Sequence, residues 1–386
     1  MFSPKIFKIL PPAIKFSGWT KLFPFSWDAN MNLLKAPNSP RNQFLTKVFF
    51  IQYVLYIGYN LYHLHDLVMS GSAAIMDIFW LGFFPGGYYV SFEGVLAFNL
   101  KKEEMVTFFR WMTEFDIHLK EMPSRLSPRR KLLHERIAIL LIQFGILGIL
   151  TFNLLFLLVY LMKPRSIQYA YSSWSNEGKS DFINANAFLL FLAFEAFTKT
   201  VNVTSYLMSQ TWFLFSVAYT TIGIYTVSNS TNSISQRLSH YRCLYLINAQ
   251  HNTCYPINFS PVRYTFNGGC LVAMGFVITR LLNKISLPEQ IIIVGMFVVI
   301  IISTFLYLHI SGMVLHNSAA LCAKLDSLVE LSISPRNRRL LKKEVRSMRP
   351  FGIRVGPIRS ISYAALSAFF IQVSSLFTTV LVTFPS

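Results

Sequence analysis

Four side chains near the end of the chain, Gln372, Ser375, Thr379 and Thr383, are separated by three, four and four residues. That spacing puts them on one face of a helix, within a run that is otherwise apolar from Ser360 to Phe384. Two kinds of chemistry fit such a stripe. Either the hydroxyls bond back to carbonyls of their own helix, as Ser and Thr do in membranes, or the face meets water. Catalytic sets are harder to find. The eight histidines are scattered, and no HExxH, HxxHH, GxSxG or glycine-rich phosphate loop occurs. His63, His65 and Asp66 cluster, but interfacial polar residues explain them more simply than a metal does. The chain is read as a non-enzyme that uses no cofactor and no metal.

The elements that must position these residues follow from composition. Of 386 residues, 53% are hydrophobic, 16% aromatic and 13% charged, and mean hydropathy is +0.45. A soluble chain carries about 25% charged residues, so lipid is the expected solvent. The net charge of +18 does not indicate a nucleic-acid partner, because the basic residues sit in short loops between apolar runs. Cys243, Cys254, Cys270 and Cys322 lack metal-site spacing and read as free thiols. The first residues contain prolines and no apolar core, unlike a signal peptide.

Apolar runs of membrane-spanning length, roughly 20 residues, lie at Phe44–Leu64, Ala74–Leu100, Ile137–Met162, Val203–Val227, Phe266–Asn283, Glu289–Gly312 and Ser360–Phe384. The expected fold is an all-α membrane protein with seven transmembrane helices. Residues 1–43 form an N-terminal segment, 44–384 one transmembrane domain, and 316–359 an anchor loop and helix. The tail and even-numbered loops hold 28 Lys and Arg, the odd loops four. The positive-inside rule therefore puts the N-terminus in the cytosol and the C-terminus outside. A shorter run, Ala187–Phe197, reads as a helical extension of the fourth span. Its Glu195 and Lys199, four residues apart, suit a wet helix face. Two cytosolic loops carry helical stripes, Met105, Phe108, Phe109, Met112, Phe115 and Leu119 in one and Leu321, Leu325, Leu328 and Leu331 in the other. These stripes are expected to pack on each other. Asp77, Glu93, Arg280 and Glu289 lie near span ends, where they reach water by snorkelling. "GFFPGG" (Gly82–Gly87) predicts a kink in the second span. The sequons at Asn202, Asn229 and Asn258 are weak signals, the first because it sits close to the membrane and the other two because they fall on the cytosolic side.

The C-terminal "VRSMRPFGIRVGPIRSISYAALSAFFIQVSSLFTTVLVTF" (Val345–Phe384) resembles the arthropod gustatory and odorant receptor superfamily. There a basic cytosolic helix leads to a glycine and a last span ending in Thr-Tyr, five apolar residues and Gln-Phe. Here Leu376 and Phe377 replace Thr-Tyr, Thr378 to Val382 follow, Thr383 replaces Gln, and Phe384 matches. Length, inverted seven-span topology, "GWTKLFPFSWD" before the first span and the abrupt end agree, and the ending is of the gustatory type. The resemblance implies a ligand-gated, non-selective cation channel in the plasma membrane of sensory neurons. It would be a homo- or hetero-tetramer with related subunits, embedded in membrane lipid. The pore would be lined by Gln372, Ser375, Thr379 and Thr383, with Val380 as a closing ring. The outer halves of spans two to six would bind a small organic tastant or odorant. They offer Trp80, Phe83, Phe84, Phe152, Phe156, Tyr160, Tyr206, Met208, Trp212, Phe276, Met296 and Phe297, which suit a hydrophobic or bitter-type ligand better than a sugar. A transporter and a G-protein-coupled-type receptor are the alternatives.

Overall fold

In the computed structural model each apolar run is centred on one helix, although the fifth runs past the end of its helix at Arg280 and the seventh starts in a short strand before its helix begins at Tyr363. The structure describes all residues except 1–3, 19–21, 29, 31–32, 38, 72–73, 123–127, 175–180, 256–258, 331–334, 357–358 and 385–386. An N-terminal helix α1 (Pro4–Ser17) precedes a small antiparallel pair, β1 (Ser26–Asp28) with β2 (Leu33–Lys35). Then come α2 (Pro40–Ser70), α3 (Ile75–Leu100), α4 (Lys102–Glu121), α5 (Pro128–Met162) and the short α6 (Ala170–Trp174). The rest of the bundle is α7 (Asp181–Ser228), α8 (Ile234–Cys254), α9 (Phe259–Arg280) and α10 (Leu287–Glu330). Helix α11 (Pro335–Ser347) and a hairpin of β3 (Arg354–Val355) with β4 (Arg359–Ser360) lead into α12 (Tyr363–Thr383). Among the described residues, four segments are helical, long and apolar enough to cross a membrane: Ile139–Met162 of α5, Ala185–Ser228 of α7, α10 and α12.

Length separates α7 and α10 from the others. At 1.5 Å per residue, their 48 and 44 residues make rods of about 70 Å, roughly twice the hydrocarbon thickness of a bilayer. Ala187–Phe197 is thus part of the helix that carries the fourth run, as no Gly or Pro interrupts it. Likewise α10 carries both the sixth run and the Leu321–Leu325 stripe. Close backbone approach fixes the start of α12, since a Cβ on Gly312 would meet backbone atoms of Ser362 and Tyr363 at 3.1–3.4 Å.

Three expectations change. The stripe of α4 is helical and buried, but it packs on α8 and β2, while the end of α10 packs on α11. The intervening α8 belongs to a loop that carried no predicted helix. Leu321 and Leu325 are buried within this one chain, Leu328 only partly, and Leu331 lies outside the described residues. Second, Glu195 and Lys199 are buried, with side chains 1% and 5% exposed. Third, Glu289 does not snorkel. It is buried and accepts from Lys163 Nζ at 2.6 Å and from Ser286 Oγ at 2.6 Å.

A candidate ligand pocket and an exposed polar helix

Pro85, inside α3, has no N–H to offer the carbonyl one turn back. Gly86 follows and leaves room for a neighbour, because a Cβ there would lie 2.8 Å from Cε2 of Phe266 on α9. Beside this close approach, α3, α5, α7, α9 and α10 line a partly open cavity of about 80 Å³. Its wall is Phe83, Phe84, Gly87 and Ser91 from α3, Phe152 and Phe156 from α5, and Lys199, Asn202, Val203, Tyr206 and Leu207 from α7. Phe266 of α9 and Met296, Val299 and Ile300 of α10 complete it. The lining is aromatic and aliphatic, with few polar atoms.

Six of the twelve expected ligand residues meet here: Phe83, Phe84, Phe152, Phe156, Tyr206 and Met296. Trp80 stands behind the wall, stacked on Phe84 with centroids 5.6 Å apart. Tyr160 lines a neighbouring void between α5 and α7, which shares Phe156 and Lys199 with the first. Trp212 lines a separate space beside Phe109 and Met112 of α4. Phe276 faces an apolar groove formed with α3 and α12. Met208 and Phe297 pack into the core instead.

The wall also holds groups that the sequence reading did not assign to it. Lys199 Nζ donates to Tyr56 Oη at 2.6 Å and lies 3.4 Å from Glu195 Oε2. Tyr56 Oη donates to the same carboxylate oxygen at 2.8 Å, and the Ala170 amide donates to Oε1 at 3.1 Å. The ammonium lies 3.8 Å from the Phe84 centroid and 4.5 Å from that of Tyr56, within cation–π range. This cluster ties α7 to α2 and to the start of α6. Deeper in the bundle, Arg263 of α9 is 2% exposed. It donates to Gln210 Oε1 at 2.8 Å and to Ser209 Oγ, and stacks over Phe259. Tyr206 Oη donates to Asn267 Oδ1 at 3.0 Å, and Asn267 Nδ2 to Thr304 Oγ1 at 2.9 Å, linking α7, α9 and α10.

Helix α12 leans on α9 and α10. Phe369 packs against Tyr264 with centroids 4.5 Å apart, and Phe377 sits against Gly275. The remainder of the helix is bare, with 6% of its apolar window buried against 33–44% for the other three segments. Gln372, Ser375, Thr379 and Thr383 are exposed on that bare side. Two hydroxyls also bond back, Thr379 Oγ1 to Ser375 O at 3.0 Å and Thr383 Oγ1 to Thr379 O at 2.9 Å. Both readings of the stripe are therefore compatible, since a back-bonded hydroxyl keeps lone pairs facing outward. Val380 is different. It comes one residue after Thr379, about 100° around the helix, and lines the apolar groove with Phe276, Leu376 and Phe384. It does not share the face of the polar stripe.

The chain is thus a helical bundle with several apolar helices, an aromatic pocket among them and one bare, polar-striped helix. Among solved structures, the chain matches the olfactory receptor OR5 of the insect Machilis hrabei in complex with eugenol, with TM-score 0.71 and 13% identity. The match covers 98% of each chain, and OR5 in a second structure matches with TM-score 0.69 over the same share. The chain thus has the insect olfactory receptor fold, as its C-terminal resemblance implied. No family model matches the sequence, and no curated protein matches it significantly.

Proposed function

We propose that the chain is a chemosensory receptor of the arthropod gustatory and odorant superfamily, acting as a ligand-gated cation channel in the plasma membrane. Seven helices, α2, α3, α5, α7, α9, α10 and α12, cross the bilayer, with the N-terminus cytosolic and the C-terminus outside. Four copies, or this chain with related subunits, surround a pore lined by Gln372, Ser375, Thr379 and Thr383. The observation that carries this reading is the fold match over 98% of the chain, combined with the bare stripe of α12. The ligand is a small, largely apolar organic compound held against Phe83, Phe84, Phe152, Phe156, Tyr206, Phe266 and Met296. Coupling runs through α9, which gives Phe266 to the pocket and holds Phe369 and Phe377 of α12 against Gly268 and Gly275.

The test is calcium imaging of cells expressing the chain alone, challenged with a panel of small organic compounds. Met296→Trp, which fills the pocket, is assayed beside it. The reading predicts responses to some compounds in wild type and loss of all of them in the variant at equal surface expression. Equal responses in both would show that ligands act elsewhere.

A further inference from the structure

A larger apolar space opens beside the bare helix. Ile75 and Phe79 of α3, Val272 and Phe276 of α9, and Leu376 and Val380 of α12 line a partly open groove of about 460 Å³, and every side chain in its wall is apolar. Its edges are uncovered, with Ile75 and Leu376 each 50% exposed. Toward the deep end α12 closes on α9, where Phe369 and Val373 lie against Gly268. The walls run from Gly269 to Val277 and from Leu376 to Phe384, a rise of about 12 Å. The hydrocarbon of one leaflet is about 15 Å thick, half that of the bilayer. At the open end stands Arg280, one turn beyond Phe276 on the same face of α9. It is half-buried, and Lys284 just past it is exposed. Arg280 Nη2 reaches the Leu381 carbonyl only at 3.5 Å, and among the described residues no carboxylate pairs with it. Asp77, the acid of the first turn of α3, is two residues from both Ile75 and Phe79 and so lies on the other side of that helix.

We infer that this groove is a phospholipid site, with one acyl chain between α3, α9 and α12 and the phosphate at the Arg280 guanidinium. This rests on these helices crossing the bilayer, as proposed above, and not on the aromatic cavity. Wall, depth and rim each select this occupant. An apolar chain strands no polar group of the wall. A tail that reaches the closed end leaves its headgroup at the rim, because the groove is about one leaflet deep. At the rim a guanidinium offers paired donors to phosphate oxygens, and no carboxylate of the groove competes for it. The tail covers the edge of α12 formed by Leu376, Val380 and Phe384, and it leaves the polar stripe free.

The test uses the purified full chain in detergent and native mass spectrometry to count bound lipid, which needs no channel activity. The probes are palmitoyl-oleoyl phosphatidylcholine and palmitoyl-oleoyl glycerol, which carries the same tails without the phosphate. Ala273→Trp fills the groove from an exposed wall position, and Arg280→Gln removes the rim charge. Wild type is expected to hold one phosphatidylcholine per chain and Ala273→Trp none. Arg280→Gln is expected to need about ten-fold more phosphatidylcholine for equal occupancy, the worth of one charged hydrogen bond, while binding the glycerol as wild type does. Phosphatidylcholine retained in Ala273→Trp would overturn the site, as would an Arg280→Gln that weakens both lipids alike or neither. If Ala273→Trp does not fold, the two lipids compared on Arg280→Gln decide alone. No lipid on wild type, with a smaller oligomer in Ala273→Trp, would make the groove a contact between copies and overturn the inference. Flotation with liposomes separates the two failures. Wild type that floats yet binds neither lipid removes the site only, whereas wild type that does not float removes the bilayer reading as well.

Discussion

Lys199 and Glu195 put a full ion pair in the interior of α7, capped by Tyr56 and the Ala170 amide. Removing one partner strands the other charge away from water, so Lys199→Met is expected to cost about 3–5 kcal/mol. Glu195→Leu combined with Lys199→Met leaves no charge behind and should recover most of that loss. Thermal melts of the two variants in detergent check the order, and equal losses would contradict it. The pair was visible in the sequence as a four-residue spacing, but that spacing is the same for wet and buried pairs. What decides between them is Tyr56 and Ala170, respectively 139 and 25 residues from Glu195. Arg263 is hidden for a related reason: the fifth apolar run begins at Phe266, so the sequence pattern groups this arginine, one turn inside α9, with the loop before it.

The helices built on long apolar runs were legible because each run is bounded by polar or proline-containing segments. Helix α8 was not, since its buried positions alternate with exposed polar ones and its net hydropathy is low. Two signals mark it all the same. Ser233 and Gln236 form a capping box, and Leu238, Tyr241, Leu244, Ile247 and His251 repeat at three to four residues. His251 makes α8 sensitive to acid. Burial among Phe108, Phe213 and Tyr255 pushes its pKa down to about 3, against a smaller opposing contribution from Asn252. As pH falls below the ordinary value of 6.5, the unfolded chain takes up this proton and the folded chain does not. Stability contributed by neutral His251 is therefore present above pH 6.5 and lost progressively toward pH 3, by at most about 1.4 kcal/mol per pH unit. His251→Phe should flatten that part of the stability–pH profile. An unchanged slope between pH 6 and 4 would show that His251 is hydrated.

On the scale of the whole molecule, the bundle buries the Glu195–Lys199 pair but leaves α12 bare on one side. A helix surrounded by lipid gains nothing from Gln372, Ser375, Thr379 and Thr383, whereas a shared aqueous axis uses them. Val380 faces the groove beside Phe276, so Val380→Ser is expected to leave resting current unchanged. Thr383→Lys, on the stripe, would place one positive charge per subunit at the pore and repel cations. Ser374→Ala, off the stripe, should do neither. The sequence pattern showed the stripe but not its relation to Val380, because adjacency in sequence is a rotation of about 100° on a helix. The most direct measurement is single-channel recording from the purified chain, reconstituted without any partner in a planar bilayer, with Thr383→Lys compared at equal protein load. The account predicts unitary cation currents from wild type and strongly reduced cation conductance in the variant. Silent bilayers with correctly folded wild-type protein, or equal conductance in Thr383→Lys, would contradict it.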